Sequence, residues 1–152
     1  MARSAYLGPE DCNCLAVRQA ARHITQFYDQ LLAPSGLRTT QFSILAKLRR
    51  LGPMTINALA AEMVMDRTTL GRNILPLERD GLIAVEQGSR DRRSKELRVT
   101  EAGEAHFRAG MKGWVRAQLE FEKAFGAKRT ADMRILLHAV TATKLGTHAA
   151  NA

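Results

Sequence analysis

Apolar residues recur with a helical period through most of this chain, interrupted by one stretch of a different period. After Pro9-Glu10-Asp11, a helix-start signal, Val17, Ala21, Ile24, Tyr28 and Leu31 form a seam that Phe27 and Leu32 widen, predicting a long helix from about residue 10 to Ala33. Pro34-Ser35-Gly36 stops it. A second helix, capped by Thr39 or Thr40, runs through Leu51 with Phe42, Leu45 and Leu48 facing inward, and Gly52-Pro53 breaks the chain again. Two short helices follow. Thr55 caps the first, whose stripe is Ile56, Leu59, Ala60 and Met63; Asp66 caps the second, whose stripe is Leu70, Ile74 and Leu77. Beyond Gly81 the period falls to two: Ile83 and Val85, then Leu97 and Val99, alternate with polar residues around the loop GSRDRRS, a hairpin with one apolar face. The helical period then returns. Thr100 caps a helix reaching about Phe125 through Phe107, Met111, Trp114 and Phe121; Gly126 stops it, and Thr130 caps a last helix with Met133, Leu136, Leu137 and Val140 along one side. Residues 1–9 and the tail THAANA read as frayed ends.

Two short helices, a tight break and a basic hairpin, in that order, spell a helix-turn-helix with a wing. The predicted fold class is mainly α with a small β-hairpin wing: a single domain over residues 1–152, with a winged helix-turn-helix at 37–100 and a helical dimerisation part at 10–33 and 101–146. The long helices at the two ends are too apolar along one side to stand alone, so they are expected to pair with a second copy. A C2 homodimer would hold two recognition helices one DNA turn apart, and a pseudo-palindromic duplex site follows from that symmetry.

Charge sharpens this picture. Lys and Arg number 23 against 15 Asp and Glu, a net +8, which favours a polyanionic partner. No apolar run is long enough to span a bilayer, no basic amphipathic helix suits a membrane surface, and the N-terminus lacks a signal-peptide core, so the expected location is cytoplasmic with no membrane partner. Aromatic residues make up only 5%, without the stacking pattern of single-strand binders, which points to duplex DNA.

Within the second short helix, a step of about 100° per residue puts Thr68, Arg72 and Arg79 opposite the buried stripe, with Thr69 and Gly71 on the flanks. Hydroxyls and arginines near a helix N-terminus are what a recognition helix offers to base edges. Gly71 costs about 1 kcal/mol relative to alanine, so it serves a close approach, by phosphate or by a neighbouring helix. Pro76 removes an N–H; the helix either kinks near Arg72–Pro76 or ends and restarts, and the shared phase of Leu77 with Leu70 and Ile74 favours one kinked helix. In the hairpin, residues 88–98 carry Arg90, Arg92, Arg93, Lys95 and Arg98 against Asp91 and Glu96, a tip suited to the negative potential of a minor groove.

The run LAAEMVMDRTTLGRNILPLERDGLI followed by DRRSKELRVTEAG resembles the MarR (multiple-antibiotic-resistance regulator) family of winged-helix transcription factors. The resemblance implies base or phosphate contact by Thr68, Thr69 and Arg72, and a D-x-R wing motif in Asp91 and Arg93, with Arg90 and Arg92 beside it. Pro76 departs from the family's recognition helix. Some members sense organic hydroperoxides with a cysteine near the start of the first helix, and Cys14 and Tyr28 resemble that cysteine and one of its tyrosine partners. By itself the C-x-C pair Cys12 and Cys14 is too closely spaced for an unstrained disulfide, and it reads either as small residues at a helix start or as a thiolate whose pKa the helix N-terminus lowers.

No phosphate-binding loop, dinucleotide fingerprint, zinc-protease motif or nucleophile–base set occurs, so no enzymatic activity, cofactor or metal is expected. His23, His106, His138 and His148 are scattered without ligand spacing. His23 lies near the expected junction of the dimerisation and DNA-reading parts, where it either packs as an ordinary histidine or touches a small aromatic effector. The reading is a homodimeric duplex-DNA-binding transcriptional regulator, a repressor relieved by a small aromatic ligand or by cysteine oxidation. Its rival is a winged-helix assembly module without DNA binding, supported by Leu75 on the otherwise polar recognition face.

Overall fold

The computed structural model describes residues 8–146; the expectations for the first seven residues and for the tail from Thr147 lie outside them. Six α-helices follow the predicted order, with three short strands among them: α1 Asn13–Leu32, α2 Thr39–Leu51, β1 Met54–Thr55, α3 Ile56–Met63, α4 Arg67–Arg79, β2 Ile83–Gln87, β3 Lys95–Val99, α5 Glu101–Phe125 and α6 Ala127–Ala142. The core gathers one residue face from each element of the reading unit: Ile44 and Leu45 of α2, Leu59 of α3, Leu70 and Leu77 of α4 and Ile83 of β2 are almost fully buried. Burial of each such side chain contributes about 2 kcal/mol, so these stripes, more than helix propensity, fix the pair α3 and α4.

The tight break between those helices rests on Val64, whose φ of 51° is left-handed despite its branched side chain. Its backbone N–H bonds back to Ala61 O at 3.2 Å and that of Met65 to Ala60 O at 2.9 Å, closing α3 before Asp66 opens α4. Pro76 sits inside a single continuous α4, which excludes the end-and-restart alternative. Asp80 N donates to Pro76 O at 3.0 Å, so the helix continues beyond the proline for a full turn.

Four expectations are corrected. Pro9–Asp11 forms a separate 3₁₀ turn, because extended backbone at Cys12 interrupts the run, and α1 starts at Asn13. Neither Thr39 nor Thr40 is the N-cap of α2. That position is Arg38, whose N–H reaches the Gln41 side chain at 2.9 Å, while Asp29 of α1 accepts both the N–H and the hydroxyl of Thr39 at 2.7 Å. Thr130 lies inside α6 rather than capping it; it is buried and its hydroxyl donates to Gly126 O at 2.9 Å, since the chain needs only Gly126, with φ 99°, to turn from one helix into the next. Finally, the sheet has a third strand. β1 pairs antiparallel with β3, Met54 opposite Leu97, and the strand order is β1-β3-β2.

The reading unit is fastened to the long helix α5 by aromatic packing. Phe42 of α2 stacks on Phe107 at 4.7 Å between centroids and lies 6.2 Å from Trp114, while the Arg49 guanidinium sits 4.1 Å above the Phe107 ring. Outside this contact the long helices keep apolar side chains in water: Leu119 of α5 and Ile135, Leu136 and Val140 of α6 are each more than half exposed.

Candidate nucleic-acid interface

The N-terminus of α4 is built by Asp66. Its carboxylate accepts the Thr69 N–H at 2.8 Å and the Thr69 hydroxyl at 2.6 Å. The Thr69 hydroxyl first, and the backbone N–H groups after it, hold the Asp66 carboxyl below its ordinary value, as expected for a negative charge at the positive end of a helix. Thr69 is thereby engaged in the cap, and Asn73 donates back to Thr69 O at 2.9 Å. Thr68 and Arg72 stand clear on the solvent side, opposite the buried Leu70, Ile74 and Leu77, and Arg72 enters no ion pair among the described residues. Arg79 shares that side but donates to Asp80 at 3.0 Å.

The wing's tip is shaped by its own small and acidic residues. Asp91 accepts the Arg93 N–H at 2.9 Å through its carboxylate, and its carbonyl takes both the N–H and the hydroxyl of Ser94 at 3.0 and 2.7 Å. Gly88 is buried beneath this turn, with no space for a Cβ: one would meet Ser94 Oγ at 2.2 Å. Asp91 therefore folds the loop, and Arg90, Arg92 and Arg93 project from it exposed. Arg98, counted among the wing's cations in sequence, is occupied: it grips Glu86 across the hairpin at 2.6 and 3.2 Å, which holds the Glu86 carboxyl low and relieves the repulsion between the facing Glu86 and Glu96. Ser94 and Gly88 are wing-shaping residues that the charge pattern did not single out.

Gly71 is settled on one side. No neighbouring helix approaches it, and nothing lies within 4 Å of the position a Cβ would take, so the close packing of helices is not its reason.

The two predicted regulatory sets are kept apart from the reading unit. Cys12 and Cys14 are exposed, and Cys12 Sγ accepts the Leu15 N–H at 3.4 Å as the N-cap of α1. Tyr28 lies about four-fifths of the way along the same helix; at 1.5 Å per residue it is about 21 Å from Cys14, so the structure does not bring them together within one chain. Tyr28 donates instead to Gln118 of α5, and burial pushes its hydroxyl pKa up. His23 lines a cleft of about 720 Å³ with Ile24, Phe27, Phe121, Phe125 and Met133, all on α1, α5 or α6. The junction with the reading unit is a different, polar cleft of about 590 Å³ that includes Asp29, Arg38, Gln41, Arg72 and Asn73. His23 thus faces the long-helix cleft, while Thr25 and Asp29 of the same helix line the junction. Among the described residues no cluster of metal ligands occurs and no helix is long and apolar enough to cross a membrane.

Residues 37–95 match the family model of the MarR family. The transcriptional regulator MosR of M. tuberculosis is 35% identical with a TM-score of 0.74, the alignment covering 88% of this chain and 98% of MosR. The same regulator in complex with DNA gives 37% identity and a TM-score of 0.75 over 89% of this chain and all (100%) of the other. The chain belongs to the MarR family. A curated relative, the uncharacterized HTH-type transcriptional regulator YwoH of Bacillus subtilis (strain 168), is 33% identical over 91 residues, 60% of this chain and 66% of its own length. The chain therefore spans a little under two thirds of that relative. In this MarR-family chain the matched segment is the winged reading unit from Leu37 to Lys95, while MosR extends the likeness over the long helices.

Proposed function

We propose that this MarR-family protein is a sequence-specific duplex-DNA-binding transcriptional repressor that acts as a homodimer. The observation that carries the reading is the exposed face of α4: Thr68 and Arg72 stand on it, Arg72 without an ion-pair partner among the described residues, and three exposed arginines crown the wing. Arg72 takes the base-reading role, Thr68 and Thr69 contact bases or phosphate near the helix N-terminus, and Arg90, Arg92 and Arg93 reach the minor groove and its phosphates while Asp91 holds their loop. A regulator of known structure with this fold and 37% identity was crystallised with DNA, which supports the same partner here.

The homodimer forms through α1, α5 and α6, whose exposed Leu119, Leu136 and Val140 need a cover. DNA release follows when a small aromatic ligand enters the cleft beside His23 and Phe27, or when oxidants modify the exposed Cys12 and Cys14. Either signal acts only through its preference for one arrangement of the dimer. A neighbour of the same fold, BpsR of Bordetella bronchiseptica, is described as regulated in DNA binding by 6-hydroxynicotinic acid; at 19% identity it supports the ligand route by fold alone.

The test is fluorescence anisotropy with DNA from upstream of the protein's own gene, against a shuffled duplex and across salt. Arg72→Ala should weaken specific more than non-specific binding. Arg93→Ala should weaken both and reduce the log–log salt slope by about 0.9 for the lost phosphate contact. Equal losses on both duplexes for Arg72→Ala would refute its base-reading role. Binding that survives hydroperoxide but falls on adding salicylate-like compounds favours the ligand route, and the reverse favours the cysteines.

A further inference from the structure

Two residues of α4 make little sense in the isolated chain. Gly71 stands in the interior of a helix, in a right-handed conformation that any residue could adopt, with nothing within 4 Å of its absent side chain. Leu75 follows one turn later and is 64% exposed. At about 100° per residue, Leu75 falls within about 60° of Thr68, Arg72 and Arg79, in the middle of the polar face rather than at its edge. The pair therefore places an open notch and an aliphatic side chain side by side, flanking the helix's hydroxyl and its arginines.

We propose that Gly71 and Leu75 form a methyl-reading surface, in which the C5-methyl of a thymine enters the notch at Gly71 and packs against Leu75. The inference rests on the proposed DNA-reading role of α4 and names what one part of it reads. The major groove displays one apolar feature, the thymine methyl, so a lone aliphatic residue on a base-reading face has one counterpart there. Arginine answers to hydrogen-bonding edges, and the single γ-methyl of a threonine offers less apolar surface than the isobutyl group of Leu75. A glycine one turn before the leucine lets the backbone come close enough for the methyl to be enclosed, because helical side chains lean toward the N-terminus and any larger residue at 71 would fill the gap. The free protein forgoes helix stability at Gly71, and the complex supplies the reason.

The experiment uses the full chain and a duplex from upstream of its gene, trimmed by footprinting to the protected segment. Each thymine is replaced in turn by uracil, which removes the methyl and leaves pairing intact. Wild type should bind about fourfold more weakly per half-site when the critical thymine is changed, the value of one buried methyl-sized group. Leu75→Ala, at an exposed position that leaves the core untouched, should bind thymine and uracil duplexes equally. Gly71→Ala should raise the melting temperature by about 2–4 °C through helix propensity and yet weaken binding to the thymine duplex. Binding without uracil sensitivity in wild type, sensitivity that persists in Leu75→Ala, or a stabilised Gly71→Ala with unchanged affinity would overturn the proposal while leaving DNA binding standing. No binding to any duplex would overturn the DNA-reading role together with it.

Discussion

Gly113→Ala tests the seam between the first and fifth helices, and its outcome can be worked from the structure. Gly113 faces α1 backbone to backbone: a Cβ built on it would lie 2.2 Å from the Leu31 carbonyl oxygen, 2.9 Å from its carbon and 3.3 Å from Leu32 N. Contact distances for such atoms begin above 3 Å, so the helices must separate locally by about 1 Å. The obstacle is backbone, not a side chain that can swing away. Leu32, fully buried at 0% exposure, would be dragged with it. Overpacking costs about 1–3 kcal/mol, here at the upper end, and alanine's better helix propensity returns about 1 kcal/mol. The net is a loss of about 2 kcal/mol. For a chain of this size that lowers the melting temperature by about 4–8 °C, measured by circular dichroism at one fixed protomer concentration because association would otherwise shift the midpoint. Gly71→Ala in the same assay moves the other way, since its surroundings are open. A Gly113→Ala protein as stable as wild type, or more so, would refute the close approach of α1 and α5.

Leu136→Glu places a charge on the exposed apolar side of α6, where the leucine is 66% exposed. It should leave the fold of the single chain intact and convert the protein to monomer in sedimentation velocity, with weakened specific DNA binding; an unaltered sedimentation coefficient would remove this face from the dimer interface. Asp66→Asn probes the cap of the recognition helix. The folded Asp66 carboxyl is held low, so its contribution is fully present above the ordinary carboxylate range and is lost as pH falls through the lowered folded value, below about pH 4. Asparagine still caps, so the variant should match wild type at neutral pH and show a smaller loss of urea stability on acidification, and parallel pH profiles would contradict this assignment.

The reading unit was legible because burial on one side writes a period into the sequence. Leu70, Ile74 and Leu77 are buried as their spacing predicts, and Ile83 and Leu97 as strand alternation predicts. Val85 alternates with them but ends 38% exposed, since β2 outruns the core toward the wing. What the sequence hid depends on partners distant in the chain. β1 is two residues long, too short to show a period, and exists because β3 offers it an edge. The entry to α2 is stabilised by Asp29, ten residues upstream on another helix, so a local search for Thr, Ser or Asp caps could not find it. On the candidate interface, the exposures of Thr68 and Arg72 followed from helical phase, and those of the wing arginines from the polar composition of their loop. The inward duties of Thr69, Asp91 and Arg98 did not, because a hydroxyl in a helix's first turn or a charge in a basic run looks the same in sequence whether it faces solvent or bonds within its own element. Gly71 and Leu75 were visible as oddities in sequence, and only the empty space around Gly71 gave them a common reason.

Three contacts among the described residues hold the winged unit and the long helices to one another. Asp29 on α1 binds the first residue of α2 by two 2.7 Å hydrogen bonds; Gly113 on α5 abuts the Leu31 carbonyl; and Phe42 stacks between Phe107 and Trp114. Two of these joints involve the C-terminal turn of α1, within a few residues of Phe27 and Tyr28. α2, in turn, shares its buried face with Leu70 and Leu77 of α4. A shift of α1 along or about its axis therefore reaches the recognition helix through α2, because close-packed cores move as units and do not absorb strain side chain by side chain. The cleft beside His23 is lined by α1, α5 and α6, and the proposed ligand there would act on the two helices that meet at Gly113. The wing and α4 remain rigid in this scheme, and what changes is where the long helices carry them.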